Sequence, residues 1–377
     1  MSILFSEARK LDAAGQVDDF WMLVDGDTIV STGTGEAPEA DESVRLGGAW
    51  LTPGFLDLHV HGAGGFSFDD GAEALESALA VHRAHGTTRS LVSLVTNPLG
   101  ELEASLAAIA ALTASDPLVL GSHLEGPYLS PLRPGAHNPE FLREPQPAEL
   151  DRLLDAAHGT LRQITIAPEL PNALELIEIL VENEIVVAVG HSEANFDQAR
   201  RAFDLGARLL THAFNAMPGI GHRAPGPVIA AFEDSRITLE LILDGEHVHP
   251  DVAALAFRCA PGRIAMITDA MAAAGASDGD YGLGSLAVEV RNGVAHVAGT
   301  DTIAGSTLTL DHALRFAIEQ VGVEPVDAVT ALTFTPARVL GLERGHGLLA
   351  PGFAADAIQL DSYWRVQHVW ANGRRVS

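Results

Sequence analysis

The sequence predicts an α/β protein: a (β/α)8 barrel of the TIM type, with a small β-sandwich built from the N- and C-terminal segments together. Three observations carry that expectation. Apolar runs of strand length recur near 54–60, 88–95, 118–124, 162–167, 185–190, 208–213, 238–243 and 264–268, and most lead into a stretch of helical periodicity. Both chain ends read as short β segments, each too small for a core of its own. Histidines and carboxylates stand where barrel strands should open into loops. We therefore expect the sandwich in 1–52 and 346–377 and the barrel in 53–345. A doubly wound open sheet is the alternative, but no Gly-x-Gly-x-x-Gly follows the first strand to favour it.

Taken in order, residues 1–52 alternate apolar stretches with Gly and Asp, and Asp25-Gly26 suits a tight turn between two strands. Helical patterns follow the strands at 72–84, 102–113, 148–157, 172–183 and 195–205, with charge on one side and Ala or Leu on the other. After the eighth strand, 287–297 reads as a hairpin turning at Asn292-Gly293, and two helical stretches follow at 306–321 and 325–340. The tail returns to β pattern at 357–360 and 366–370, with Asn372-Gly373 as a last turn.

Composition narrows the function. Hydrophobic residues make up 47% and charged residues 19% of 377 residues, which describes a globular chain with a large core. The formal net charge of −27 argues against nucleic acid or an anionic membrane as partner, since both need a basic footprint. No apolar run approaches the ~20 residues a bilayer span needs, and the start, Met1-Ser2-Ile3-Leu4, lacks a basic leader. A cytoplasmic protein is expected. Cys259 is the single cysteine, so neither an internal disulfide nor a thiolate metal cluster is available. Lys10 is the only lysine and precedes the barrel, which argues against a metal centre bridged by a lysine.

The chemistry lies at the strand ends. Phe55-Leu56-Asp57-Leu58-His59-Val60-His61 places two imidazoles on one side of a strand, because side chains two apart point the same way. Glu125 ends the third run, His191 the fifth, His212 the sixth and Asp269 the eighth. Each alone has an ordinary reading: a hydrogen-bonded histidine, a loop carboxylate capping amides, or an aspartate opening a helix. Together they point to a cation, because burying several imidazoles and carboxylates without one is costly. A divalent ion on Glu125, His191 and His212 would leave a position for water and lower its pKa, with Asp269 as general base and acid. That is hydrolysis of an amide-like bond. Zinc stands first among the ions that suit nitrogen and oxygen donors, with iron, manganese and cobalt behind it. His82, His85, His158, His222, His249, His296, His312, His346 and His368 fall away from strand ends and read as surface or packing residues.

The stretches Pro-Gly-Phe-Leu-Asp-Leu-His-Val-His-Gly from Pro53, His-Leu-Glu-Gly-Pro from His123, Gly190-His191-Ser192, Thr-His-Ala-Phe-Asn-Ala-Met from Thr211, and Ile-Thr-Asp-Ala from Ile267 occur in an order that resembles the amidohydrolase superfamily. Within it they are similar to the N-acetylglucosamine-6-phosphate deacetylases over essentially the whole chain. The resemblance implies metal-dependent hydrolysis of N-acetylglucosamine 6-phosphate to glucosamine 6-phosphate and acetate. It assigns Glu125, His191 and His212 to the principal metal site and Asp269 to proton transfer. His59 and His61 fall on a position that varies among relatives, so one or two ions per subunit are expected. Substrate contacts are implied at Ala136, His137, Asn215, Ala216, Arg223 and His247, with Ile303, Ala304, Gly305 and Ser306 as a weaker match. Arg223 and His247 make chemical sense as a phosphate clamp. The resemblance also implies a homodimer in which a neighbouring subunit contributes to the phosphate pocket. The galacto epimer, or another N-acyl substrate, is the alternative among enzymes. A binding scaffold with a decayed site is the alternative outside them, although every ligand position here is filled.

Overall fold

The structure, a computed structural model, describes residues 1–377. Eight parallel strands form one sheet in sequential order: Phe55–Asp57, Thr87–Leu94, Val119–Glu125, Leu161–Ile166, Val186–Val189, Leu209–Leu210, Thr238–Ile242 and Ile264–Ile267. Nearly every residue in them is buried, as expected of parallel strands covered on both faces. Closure comes just beyond the first and eighth strands: Val60 and Ala270 form a parallel bridge, the Asp269 N–H donates to the His59 carbonyl at 2.8 Å, and the His61 N–H donates to the Ala270 carbonyl at 2.8 Å. The (β/α)8 barrel predicted from the strand spacing is therefore what the chain forms.

Helices Ala72–Ala84, Leu99–Ser115, Pro147–Ala157, Ala173–Glu182, Phe196–Asp204, Gly226–Glu233 and Pro250–Cys259 follow the strands in alternation. Local chemistry sets their starts. Asn195 and Gln198 cap the fifth reciprocally, and Pro147 and Pro250 open theirs, where a missing N–H costs nothing. The hairpin expected at 287–297 is Leu286–Arg291 with Val294–Val297, and it gains a third strand, Gly279–Leu283. Two expected helices differ from the pattern. The first begins only at Leu310, because Ser306 stays extended and bridges Ala270. The second is split at Thr333 into Pro325–Leu332 and Phe334–Val339, since Pro336 has no N–H to continue the ladder.

The chain divides into two compact units: Met1–Asp57 with Ala80–Arg89 and Thr309–Ser377, and Leu58–Leu79 with Ser90–Leu308. In the first, the two chain ends share one eight-stranded sheet. Ser2–Asp12 pairs with Gly15–Asp25 on one edge, while its other edge takes Glu42–Arg45 at Ile3–Ser6 and Trp50–Pro53 at Arg9–Lys10. Trp50–Pro53 then pairs antiparallel with Ala357–Leu360, so the tail is woven into the sheet. Phe5, Met22, Ile29, Leu51 and Trp370 fill its core, with Phe5 edge-on to Trp370 at 5.0 Å. A buried ion pair locks the same unit: Arg89 Nε donates to Asp356 at 2.7 Å, and the Asn372 N–H donates to the same carboxylate at 2.8 Å. No helix is long and apolar enough to cross a membrane.

Candidate active site

The second unit brings all six strand-end residues to one place. His59 and His61 follow the first strand, Glu125 ends the third, and His191, His212 and Asp269 each come two residues after a strand. All six are buried. Turning from strand into site forces unusual backbone: His191, His212, Asp269 and the nearby Ala216 have φ of 44°, 26°, 49° and 49°. Left-handed non-glycine residues cost on the order of 1–3 kcal/mol each and collect where function demands them. Backbone bonds hold them there: the Ser192 N–H donates to the Ala216 carbonyl at 3.1 Å, the Ala213 N–H to the Glu240 carbonyl at 2.8 Å and the Ser306 N–H to the Asp269 carbonyl at 2.7 Å.

The donors fall into two groups that share Glu125. One carboxylate oxygen, Oε1, lies 3.1 Å from the Nε2 atoms of both His191 and His212, which are 3.0 Å from each other. The other, Oε2, lies 3.4 Å from His59 Nε2, 3.2 Å from His61 Nε2 and 3.3 Å from His137 Nε2. Asp269 Oδ1 completes the second group at 3.5 Å from His59 and 3.3 Å from His61, whose own Nε2 atoms are 3.0 Å apart. Imidazole nitrogens 3.0 Å apart either share a proton or face a common cation. Donors that each bind one ion at ~2.0–2.1 Å sit roughly 3 Å apart, so both groups fit a divalent cation. The outer ring nitrogens agree for His191, whose Nδ1 faces the Arg133 carbonyl at 2.9 Å and leaves Nε2 free to ligate.

Electrostatics follow from the crowding. Burial raises the Glu125 carboxyl, but His59 and His137 outweigh it and hold the group well below the usual range. Burial likewise opposes the charged form of Asp269, yet His59 and His61 bring it down to about 2. For His61 burial is again the largest effect, exceeded by the combined bonds to Asp269 and Glu125, which push it up to about 9. His137 goes the other way, down to about 4, because burial dominates.

Above the donors opens a cavity of about 430 Å³. Ala136, His137, Asn215, Ala216, His247, Ile303 and Gly305 line it. Ala304 and Ser306 are buried behind the lining, where Ser306 Oγ donates to the Thr268 carbonyl at 2.6 Å. Arg223 is exposed and lies outside the lining of its own chain's cavity. Gly135 is required beside the site, since a Cβ there would lie 2.8 Å from the His191 ring at a φ of 54°. His247 Nδ1 sits 2.6 Å from Asp244 Oδ2, and this carboxylate overcomes the effect of burial and raises the His247 pKa.

Sequence reasoning did not single out Asp244, Glu240 or His123. Glu240 lies wholly buried in the seventh strand, 3.4 Å from His59 Nδ1. His123, also fully buried, packs edge-on to the His59 ring at 4.6 Å. A signal for Glu240 was present: a lone carboxylate in the otherwise uncharged run from Ile237 to Leu243 is costly unless it has work inside.

Comparison with known proteins extends this geometry. The profile described as the amidohydrolase family matches residues 50–376. An N-acetylgalactosamine-6-phosphate deacetylase of Escherichia coli O157:H7 is 40% identical over the full length of both chains. An N-acetylglucosamine-6-phosphate deacetylase of Vibrio furnissii is 32% identical, over 99% of this chain and 93% of its own. Among solved structures, an aspartate-to-alanine mutant of N-acetyl-D-glucosamine-6-phosphate deacetylase from Mycobacterium smegmatis, in complex with N-acetyl-D-glucosamine-6-phosphate, matches at 43% identity with a TM-score of 0.95, covering 100% of this chain and 99% of that one.

Proposed function

This chain belongs to the amidohydrolase family, and from that premise we propose that it hydrolyses the acetamide of N-acetylglucosamine 6-phosphate, releasing acetate and glucosamine 6-phosphate. The observation that carries this reading is the pair of donor groups sharing Glu125 at the floor of a cavity that also holds His247, paired with Asp244. Glu125, His191 and His212 would hold one divalent ion, and His59 and His61 with Glu125 and Asp269 a second; zinc is our first choice, ahead of iron, manganese or cobalt. When bound, such an ion supplies Lewis acidity, polarising a carbonyl and making water acidic enough to lose a proton near neutral pH.

The chain's own residues do the rest. Asp269, ionised at neutral pH, accepts a proton from the attacking water on its carboxylate and returns it to the departing sugar nitrogen. His137, held neutral by burial, accepts from the Thr96 N–H on Nδ1 and faces Glu125 with Nε2 at 3.3 Å; we assign that Nε2–H to the acetamide oxygen when substrate is bound. His247, Asn215 and the backbone at Ala216 line the cavity, and we assign them to the phosphate. Arg223, exposed and outside this cavity, suits the pocket of a second copy, which supports a homodimer. The lone exposed Cys259 and the absence of disulfides suit action in the cytoplasm.

A second reading, hydrolysis of N-acetylgalactosamine 6-phosphate, is favoured by the Escherichia coli relative. Acetate release from both sugar phosphates, before and after chelation and after readdition of zinc, tests the proposal. Chelator-sensitive release with the gluco substrate preferred is the expected result. Preference for the galacto substrate moves the assignment to the epimer, and release from neither overturns it.

A further inference from the structure

The barrel interior holds a third carboxylate that the proposed reaction does not use. Glu240 is fully buried at the middle of the strand Thr238–Ile242. Its Oε1 accepts from Gln163 Nε2 at 3.0 Å, and its Oε2 faces His59 Nδ1 and the His212 N–H, both at 3.4 Å. None of Glu125, Asp269 and Glu240 is paired with a lysine or arginine. Burying an uncompensated carboxylate costs several kcal/mol, so three together call for positive charge nearby.

The outer ring nitrogens of the four histidine donors show where that charge belongs. His191 Nδ1 uses a backbone carbonyl, and the Nδ1 atoms of His61 and His212 are buried without a partner. Only His59 has a carboxylate behind it. A carboxylate accepting from Nδ1–H fixes the tautomer, leaves Nε2 as a lone pair and raises the basicity of the ligand. The Nε2 so exposed is the one that faces His61, Glu125 and Asp269.

We propose that Glu240 is a positioning residue for His59, fixing its Nδ1–H so that Nε2 can serve the second donor group already described. The inference rests on the metal-dependent reading of the site above. Glu240→Gln keeps shape and an oxygen for the two N–H donors while removing the charge, so it tests the charge itself.

The experiment is equilibrium dialysis of metal-stripped wild type and E240Q against buffered free zinc, followed by elemental analysis of zinc per chain, with acetate release measured in parallel. Wild type should fill in two steps. In E240Q the first step should stay in place and the second should move to about 10–100-fold higher free zinc, the range seen when the partner of a ligating histidine is lost. Superimposable curves, or equal displacement of both steps, would overturn the proposal. Wild type saturating at one zinc while releasing acetate would overturn it too, and leave the deacetylase reading intact. Two zinc ions without acetate release would overturn that reading, while the E240Q curve still decides the role of Glu240. If E240Q does not fold, Gln163→Met withdraws the amide that braces the carboxylate and must displace the same second step; no displacement there refutes the assignment.

Discussion

Replacing Asp269 with Asn removes the proton acceptor while keeping a side-chain oxygen for the second donor group. The backbone at 269 is left-handed, with φ 49°, a conformation asparagine tolerates well but alanine does not, so the strand-to-site turn should survive. Its two anchoring bonds, from the Asp269 N–H to the His59 carbonyl and from the Ser306 N–H to the Asp269 carbonyl, are main-chain and unchanged. The side chain touches only His59 and His61, at 3.5 and 3.3 Å, while Glu125 is already engaged by five imidazoles. Apart from Glu125, no carboxylate besides Asp269 lines the cavity to take over as base. Losing a positioned general base costs typically about 10²–10⁴ in rate. With no substitute present, the upper half of that range is expected, about 4–5 kcal/mol at 1.36 kcal/mol per tenfold. Acetate release under saturating substrate gives kcat, and KM should stay within about threefold because the binding contacts remain. Metal content and the urea midpoint serve as controls. A kcat within about tenfold of wild type, with metal and fold intact, would refute the assignment of Asp269 as the base.

Three further outcomes follow from the same geometry. Asp244→Asn removes the carboxylate that favours the charged form of His247, so KM for the phosphorylated sugar should rise about tenfold, the scale of one charge-assisted hydrogen bond. The pH profile should also move. Because Asp244 overcomes burial and raises the folded His247 pKa, affinity in wild type should be lost as pH climbs through that raised value, and the variant should lose it at lower pH; an unmoved KM profile would count against the pairing. Arg223→Ala should raise KM for the phosphorylated sugar and leave kcat nearly unchanged, with no effect on hydrolysis of the unphosphorylated analogue; equal loss on both substrates would remove Arg223 from phosphate binding. Asp356→Ala removes the carboxylate paired with Arg89, which is only 6% exposed, and should lower unfolding free energy by about 3–5 kcal/mol in urea titration; a loss below about 1 kcal/mol would mean the pair does not lock its unit.

Much of this protein was legible without coordinates, for local reasons. Alternation of apolar runs with amphipathic stretches is a property of neighbouring residues, and so are turn pairs such as Asp25-Gly26 and Asn292-Gly293. Strand-end chemistry is local too, because a buried strand that ends in His59-Val60-His61 or Leu124-Glu125 advertises polar atoms where the fold opens. The two helical stretches after the hairpin misread the chain only where Pro336 or the Ser306 bridge intervened.

What the tertiary structure alone decided are relations between residues far apart in sequence. Trp50–Pro53 pairs with Ala357–Leu360 across some three hundred residues, and nothing in either segment records that register. Glu240 has no local reason to exist in an apolar strand. It acquires one only when barrel closure sets it 3.4 Å behind His59, 181 residues away. Asp244 and His247 are near neighbours, yet only the turn between them aims the ring into the cavity. Arg223 illustrates the converse, since its motif marks it for the substrate and folding leaves it outside the cavity of its own chain. Sequence determines which groups a chain can offer at its strand ends. Closure of the sheet determines which of them meet, because a few ångströms of register decide whether two charges share an ion or face solvent.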